Sequence, residues 1–306
     1  MIAIIAPDPS FGAAYNIRTA LHGALICDRK DGWREWEPDI VLDSERGIRQ
    51  ARRVVKQAEH VLIISTWGLK TWARIGVEHE RLAMLVVESR MERYPDECRT
   101  VIREAGIKQL FHLPNLSPYM PDRSVAMLQP VVVPETAPAK ATDGPTIIVH
   151  TPGTEKKRYQ KGSGQVQRVI DEMSVKHDIE YREIIMASHA ETLAHRAAAH
   201  ICIDQIPPAG WPRGLGLSGE ESLAYGCATV STMYPQTYAG TYPYPPVHVA
   251  DSGYGLKKRL NRLLVRPREW LIEQGRFNHA WAANHLSPEF WGAFYWTYMP
   301  AEWAVK

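Results

Sequence analysis

Residues 203–231 read IDQIPPAGWPRGLGLSGEESLAYGCATVS, and the order of residue types in this stretch decides the fold of the second half of the chain. The apolar run at residues 200–203 predicts a strand that ends at Asp204. Prolines and glycines fill residues 207–216, where they stop regular structure and let backbone N–H groups point into a crevice. A short helix and the apolar strand at residues 228–231 follow. The loop is therefore a candidate site for an oxygen-rich ligand.

Ser218 and Glu221 mark the predicted start of that helix, because a serine followed three residues later by a glutamate has the spacing of a capping box. A helix start offers unpaired N–H donors and the positive end of a dipole, which together attract phosphate and other anions. Two interpretations of Glu221 follow from this local pattern. Its carboxylate either caps its own helix or binds a ligand held by the glycine loop.

A longer pattern favours the ligand. The glycine loop G-L-G-L at residues 214–217, then Glu221, then A-Y-G-C-A-T-V at residues 224–230 resembles the donor-site signature of GT-B glycosyltransferases of the retaining family 4 type. The resemblance implies that Glu221 binds the ribose hydroxyls of a nucleotide diphosphate sugar. An earlier family glutamate that contacts the sugar is replaced by Arg213, which leaves the sugar and the donor geometry open. The donor-binding residues implied are Arg213, Gly214, Leu215, Gly216, Leu217, Ser218 and Glu221.

A second motif follows the strand predicted at residues 146–150. Residues 150–162, HTPGTEKKRYQKG, are similar to the H-x-P-x-x-R-x-x-K-G loop of the same family, with about three additional residues. The resemblance makes Arg158 and Lys161 the catalytic cations that neutralise the donor diphosphate as it leaves, a charge-stabilising role. Lys156 or Lys157 could share this task. The alternative interpretation of the basic run is a solvated loop.

The first half of the chain alternates between strand-like and helix-like segments, beginning with the apolar strand at residues 1–6. Strands separated by helices predict a parallel sheet covered on both faces, and functional side chains then lie at the carboxyl ends of the strands. Gly12, Glu88 and Arg90 occupy such loops and are candidate acceptor-binding residues. A surface ion pair is the alternative for Glu88 and Arg90.

The resemblance and this alternation together predict an α/β fold of two Rossmann-like parallel-sheet domains facing a cleft, the GT-B architecture. A small, polar, proline-rich stretch at residues 135–145 has the composition of a linker. It separates an acceptor-side domain at residues 1–134 from a donor domain at residues 146–285. Residues 286–306 are expected to include a helix that packs back on the first domain.

Composition excludes several classes of protein. The chain has 306 residues, of which 45% are apolar, and a net charge of +2, which does not by itself indicate a nucleic-acid-binding protein. It contains no apolar run of about 20 residues and no basic start before its first apolar segment, so we expect a cytoplasmic protein without a membrane span. The four cysteines lack a C-x-x-C spacing, which predicts free thiols.

The histidines do not indicate a metal centre. His189, His195 and His200 are six and five residues apart, so they do not share one helical face as the histidines of H-E-x-x-H do. We therefore expect no metal site and no cofactor, the nucleotide diphosphate sugar being a substrate.

Two further stretches allow both a binding and a purely structural interpretation. Residues 234–246 are rich in tyrosine and proline and either cover a base or acceptor or form a rigid surface loop. The basic residues 257–268 form either an anion-binding surface or a solvated helix face.

The sequence thus predicts a glycosyltransferase that uses a nucleotide sugar such as a UDP-sugar. The resemblance implies transfer with retention to a hydroxyl acceptor, without an essential metal. The acceptor remains open among a glycan, a small molecule and a hydroxylated base in DNA. The alternatives are a catalytically inactive relative that binds a nucleotide or glycan, suggested by Arg213, and a nucleotide-sugar epimerase of the same fold. The sequence does not indicate an oligomeric state.

Overall fold

The computed structural model describes residues 1–8, 13–30, 36–87, 90–208, 214–238 and 244–300. The chain forms two compact units. Unit 1 comprises Met1–Pro130 together with the chain from Ser287 onward, and unit 2 comprises Val131–Leu286. Within the described residues, no helix is both long enough and apolar enough to cross a bilayer.

Unit 1 is built on a parallel sheet that has seven strands in the described residues, in the order β3-β2-β1-β4-β5-β6-β7. The strands are β1 (Ile2–Ala6), β2 (Ala24–Cys27), β3 (Ile40–Val41), β4 (His60–Ile64), β5 (Leu82–Val86), β6 (Gln109–His112) and β7 (Val125–Ala126). The helices between them are α1 (Ala14–Leu21), α2 (Glu45–Gln57), α3 (Ser65–Ile75), α4 (Arg90–Arg93) and α5 (Pro95–Glu104). Every residue of β1, β4 and β5 is buried, since helices cover both faces of such a sheet.

Unit 2 has a parallel sheet of five described strands, in the order β12-β11-β10-β8-β9. Its strands are β8 (Thr146–Gly153), β9 (Ile179–Ile185), β10 (Ile201–Ile203), β11 (Ala228–Ser231) and β12 (His248–Val249). Its helices are α6 (Glu155–Lys161), α7 (Ser163–Ser174), α8 (His189–Ala198), α9 (Leu217–Ala224), α10 (Pro235–Tyr238), α11 (Gly253–Leu264) and α12 (Arg268–His285). The predicted class of two parallel-sheet α/β domains is confirmed.

The linker predicted at residues 135–145 lies within unit 2. Lys140 holds it there, because its ammonium group donates hydrogen bonds to the carbonyl oxygens of Arg196 (2.8 Å), Ala197 (2.8 Å) and Tyr225 (2.9 Å). These carbonyls belong to the ends of α8 and α9, where helix carbonyls lack partners in their own helix. The segment therefore packs as part of the second unit.

The last described helix, α13 (Pro288–Thr297), packs in unit 1 against α1. Trp291 is fully buried and its indole N–H donates to the carbonyl oxygen of Leu128 at 2.8 Å. Tyr295, also fully buried, hydrogen-bonds to His60 at the start of β4 at 2.9 Å. The aromatic residues of this helix thus complete the core of unit 1.

Candidate functional site

The two motifs singled out in the sequence lie beside each other at the carboxyl edge of the unit 2 sheet. Strands β8 and β10 are hydrogen-bonded neighbours, with Ile203 opposite His150. The motif at residues 150–162 begins at the end of β8 and the glycine loop at residues 214–217 follows β10, so both leave the sheet at the same edge. Ligands of open parallel sheets bind at this edge.

Asp204, the residue after β10, joins the two motifs. Its side chain is fully buried, and Oδ1 accepts a hydrogen bond from the Lys161 ammonium group at 2.9 Å. Oδ2 accepts from the backbone N–H of Gly216 at 3.0 Å and from the hydroxyl of Ser231 at 2.9 Å. The carboxylate thereby fixes Lys161 beside the first residue of the glycine-loop helix.

Two glycines make this approach possible. A Cβ atom on Gly216 would lie 3.3 Å from the Lys161 Nζ atom, which is a tight contact, and 3.5 Å from Asp204 Oδ1, which is an ordinary one. Gly162 has φ = 74°, in the left-handed region that favours glycine, and a Cβ there would collide with the carbonyl oxygen of Ile206. The Lys161 position therefore depends on the small size of its neighbours.

The predicted capping box at Ser218 and Glu221 is wrong. Helix α9 begins at Leu217 with Gly216 as its N-cap, so Ser218 lies inside the helix. The physical reason is that the carboxylate of Asp204, which is distant in sequence, accepts the Gly216 N–H and lets the helix begin earlier than Ser218. The side chains of Ser218 and Glu221 are consequently available for other contacts.

Glu221 is 5% exposed and both of its carboxylate oxygens are engaged. Oε1 lies 2.7 Å from the His189 Nε2 atom, and Oε2 lies 2.6 Å from Arg196 Nη1. Arg196 is itself 2% exposed, and its Nη2 donates to the hydroxyl oxygens of Thr151 and Ser218 at 3.0 and 2.9 Å. Glu221 is therefore held by a buried arginine, and its predicted contact with ribose stays a prediction.

Arg158 lies one helical turn before Lys161, but its guanidinium faces carboxylates. Its Nε and Nη2 atoms donate to the two oxygens of Glu183 on β9 at 3.0 and 2.8 Å, and Nη1 donates to Glu155 at 3.4 Å. The sequence predicted a loop over residues 151–161, whereas the second half of that segment is helix α6, which Thr154 caps by accepting from the Lys157 N–H. The helix places Arg158 and Lys161 on neighbouring parts of one surface.

His150, the first residue of that motif, supports the frame. Its ring is fully buried, with Nδ1 lying 2.8 Å from the carbonyl oxygen of Ile203 and Nε2 lying 2.8 Å from the hydroxyl of Ser163 at the start of α7. Burial lowers the pKa of His150 to about 4, so the ring is neutral at pH 7. It connects β8, β10 and α7 rather than acting as an acid or base.

The remaining predicted donor residues flank this centre. Leu215 is buried and its backbone N–H donates to the Tyr238 hydroxyl at 2.9 Å, while the carbonyl oxygen of Gly214 accepts from Gln205. Leu217 is the first residue of α9. Arg213 lies outside the described residues.

The predicted acceptor residues belong to unit 1. Arg90 opens α4, where its guanidinium donates to Glu97 at 2.7 Å and lies 5.8 Å from the ring centre of the half-exposed Trp67. Glu97 is thus one partner of Arg90, and the suggested pairing with Glu88 is not addressed by the structure. Gly12 and Glu88 lie outside the described residues, so those two predictions are not addressed by the structure.

Sequence reasoning did not assign a role to Asp204, Arg196 or His189. Asp204 carried a usable signal, because an acidic residue directly after a buried parallel strand lies at the ligand-binding edge. Arg196 carried none in its local pattern, since an arginine in a helix is usually exposed. His189 was considered only as a metal ligand, and its contact with Glu221 depends on the tertiary structure.

The four cysteines are divided equally between the two units. All four cysteines are free and buried, as predicted. Within the described ranges, no three His, Cys, Asp or Glu side chains are grouped to hold a metal ion.

Unit 1 has a cavity of about 1180 Å³ next to Ala58 and Leu82. It lies at the amino-terminal edge of the unit 1 sheet, whereas ligands of open parallel sheets bind at the carboxyl edge.

Comparison with known proteins gives a result at the level of structure. No protein-family model and no curated protein sequence matches the chain. Alr3699/HepE of Anabaena, solved in complex with UDP-glucose, superimposes with a TM-score of 0.66 at 9% identity, covering 97% of this chain and 99% of that one. Sucrose-phosphate synthase from Thermosynechococcus elongatus gives 0.60 at 11% identity and 97% coverage of both chains.

A third similar structure is an alpha-glucosyltransferase in complex with UDP and a 13-mer DNA containing an A:G mismatch. Its TM-score is 0.61 at 12% identity, with 98% of this chain and 99% of that chain covered. At such identities the likeness concerns the fold. The chain has the two parallel-sheet α/β units of the GT-B glycosyltransferase fold.

Proposed function

We propose that the protein is a glycosyltransferase that moves a sugar from a nucleotide diphosphate sugar, such as a UDP-sugar, to a hydroxyl acceptor. The observation that carries the proposal is the approach of Lys161 to the N-terminus of α9 through Asp204 and Gly216. A cation beside a helix N-terminus forms an anion-binding site with two sources of positive charge. The fold, shared with structures solved with UDP or UDP-glucose, supports the same conclusion.

The charge at this edge suits the departure of a diphosphate. When the bond between the sugar C1 atom and the phosphate oxygen breaks, negative charge grows on that oxygen, and Lys161 together with the α9 amides stabilises it. In the proposed complex Asp204 orients the ammonium group of Lys161, and Glu221, held by Arg196, binds the ribose hydroxyls. The site therefore provides binding and charge stabilisation from side chains and backbone.

In the proposed reaction the acceptor oxygen attacks C1 on the face that the diphosphate leaves, so the configuration at C1 is retained. The proton of the acceptor hydroxyl passes to the departing phosphate oxygen, which makes a protein base unnecessary. We propose that no metal ion or cofactor takes part. Arg158 assists once a diphosphate competes with Glu183 for its guanidinium.

The test is turnover of UDP-sugars and other nucleotide sugars by the wild type and by two matched variants. Lys161→Met should lower turnover by about 10²- to 10³-fold, the usual cost of removing one charge-stabilising donor. Lys176→Met, a change of the same size at an exposed lysine of the same unit outside both motifs, should leave turnover within about twofold.

Loss of folding is separated from loss of chemistry by a double variant. Lys161→Met leaves the buried Asp204 carboxylate without its cation, and adding Asp204→Asn should recover the thermal stability but not the turnover. Recovery of both would mean that Lys161 serves structure alone. Absence of turnover in the wild type with every nucleotide sugar would contradict the proposal itself.

A second candidate function is a catalytically inactive protein that binds a nucleotide or glycan. It is favoured by the engagement of Arg158 with Glu183 and of Glu221 with Arg196, which occupies the two groups that a donor would use. This function predicts that a nucleotide diphosphate raises the midpoint of thermal unfolding while the wild type turns over no nucleotide sugar. Gain of turnover in Arg213→Glu would then identify the missing glutamate as the cause.

A further inference from the structure

A second cavity in unit 2, of about 470 Å³, opens beside helix α11 and the ends of β11 and β12. Its lining contains three basic side chains, from Lys258, Arg259 and Arg262, and Asp251 is the one acidic residue among its described lining residues. Arg259 is held in place because its Nε atom donates to the carbonyl oxygen of Val249 at 2.9 Å. The cavity is therefore cationic, and one of its cations is fixed by the backbone.

The other two cations belong to a row along the outer face of α11. Tyr254, Lys258 and Arg262 are spaced four residues apart, so they lie one above another on a single helix face, about 6 Å apart along the axis, and all three are exposed. The opposite face is apolar and buried through Leu256 and Leu260. Among the described residues, neither Lys258 nor Arg262 has an acidic partner.

The adjacent Lys257 differs from Lys258 and Arg262 because it has an acidic partner. Lys257 points elsewhere and forms an ion pair with Glu172 of α7 at 2.6 Å. The row is thus distinguished from its surroundings by unpaired charge and by its contact with the cavity.

Tyrosine rings surround the same cavity. Tyr254 is 78% exposed and Tyr234 is 43% exposed, and both line it. Exposed aromatic rings interleaved with cations are typical of surfaces that bind single-stranded nucleic acid, because bases stack on the rings while phosphates meet the cations. A site for a lone anion would require the cations but would gain nothing from the rings.

We propose that the α11 cavity binds the sugar-phosphate backbone of a nucleic-acid acceptor, with Lys258 and Arg262 on consecutive phosphates and Tyr254 stacked on a base. The role of this strand as acceptor rests on the proposed glycosyl transfer. Binding itself requires no donor and is measured separately.

The experiment titrates the full-length protein into a fluorescein-labelled 20-nucleotide single strand and the matching duplex, at several salt concentrations. The double variant Lys258→Gln with Arg262→Gln should bind about tenfold more weakly at 0.1 M salt. The slope of log K against log salt is negative for the wild type. In the double variant it should become less negative by about 1.4 on the single strand and by about 1.8 on the duplex, the change expected for two lost phosphate contacts. Tyr254→Ala should weaken binding of the single strand and leave the slope unchanged.

The matched control removes two exposed cations of the same unit, through Lys257→Gln with Arg168→Gln, and should retain the wild-type slope. Equal weakening by both double variants would overturn the proposal, since net charge would then explain the binding. Displacement of the DNA by inorganic phosphate at constant ionic strength would also overturn it, in favour of a small-anion site. DNA binding that depends on the row without any sugar turnover would leave this proposal standing and contradict the proposed function.

Discussion

Lys140 shows how one side chain connects parts of the chain that are far apart in sequence. Its ammonium group meets carbonyl oxygens at the ends of α8 and α9, where the negative end of each helix dipole favours a cation. Lys140→Met should therefore lower the free energy of unfolding by about 2–3 kcal/mol, because several partly buried charged hydrogen bonds are lost. Chemical denaturation would measure this change. The same substitution at the exposed Lys176 should cost less than about 0.5 kcal/mol, and equal effects would contradict the role given to Lys140.

The contact between Arg196 and Glu221 gives a second prediction for single residues. Arg196→Met should destabilise the protein by about 3–5 kcal/mol, since it leaves the Glu221 carboxylate buried without its cation. Adding Glu221→Leu should recover much of that loss, although the contact between His189 and Glu221 is then lost as well. Denaturant titration of the two single variants and the double variant gives the coupling energy, and additive losses would show that the pair is independent.

Local patterns identified one half of this site and not the other. The glycine loop and Lys161 were named through a family resemblance in residue spacing, and the structure brings them together while their roles stay predictions. Asp204 and Arg196 were missed because their importance comes from contacts across 43 and 25 positions in sequence, to Lys161 and Glu221. Such long-range pairs do not appear in the periodicity of a single segment.

Helices α9 and α12 pack closely where two glycines meet. A Cβ atom on Gly275 of α12 would collide with the carbonyl oxygen of Gly226, at the end of α9. Gly275→Ala should separate the two helices and lower the free energy of unfolding by about 1–3 kcal/mol, the scale of an overpacked core. Thermal unfolding would measure the loss.

The matched control for Gly275 is Gly164 in α7, where an added Cβ meets no atom within 4 Å. Gly164→Ala should raise stability by about 0.4–1 kcal/mol, since alanine favours helix and restricts the unfolded chain. If both substitutions stabilise the protein, then the contact between α9 and α12 has room for an additional methyl group, which would contradict the close packing described above.

The success of prediction differed between elements for a physical reason. Helix α2 is capped by Ser44 and buries Gly47, Ala51 and Val55 on one face, so its sequence carries a periodic pattern. Helix α6 was missed because it buries none of its residues, so it has no apolar stripe to detect. Its contacts include the Thr154 cap and one ion pair with a neighbouring strand, between Arg158 and Glu183 of β9, neither of which a hydrophobic pattern reports.

Acid should lower the free energy of unfolding through buried histidines in both units. Burial lowers the pKa of His60, His112 and His150 to about 4, whereas an imidazole in the unfolded chain has a pKa of about 6.5. As the pH falls below about 6.5, the unfolded chain takes up protons that the folded chain refuses. Each histidine then lowers the free energy of unfolding by up to about 1.4 kcal/mol per pH unit until about pH 4, and its full contribution is present above pH 6.5.

Calorimetry between pH 7.5 and pH 4.5 checks this expectation. His112→Gln keeps a hydrogen-bonding group near the Ser117 hydroxyl but cannot titrate, so its midpoint should fall less steeply with acid than that of the wild type. A midpoint that stays constant over this range would contradict the assignment of neutral buried rings.

At the scale of the molecule, the fold was predictable because it depends on redundant signals. Continuous apolar strands such as β1, β4 and β5, alternating with helices, allow few arrangements other than covered parallel sheets. The assignment of residues to the two units depends on contacts between residues that are distant in sequence. Residues 135–145 have a linker composition, yet Lys140 draws them into unit 2, which a count of prolines and polar residues does not reveal.

Helix α13 makes unit 1 discontinuous, because its tryptophan and tyrosine fill the core of a sheet formed by the first 130 residues. During synthesis on the ribosome, unit 2 emerges complete while unit 1 still lacks a wall of its interior. Phe111 of β6 stacks on Tyr295 of α13, so its ring stays without that contact until α13 leaves the exit tunnel. Synthesis of unit 1 thus begins before that of unit 2, but its folding is completed later. Chaperones should therefore bind residues 1–130 for longer than unit 2.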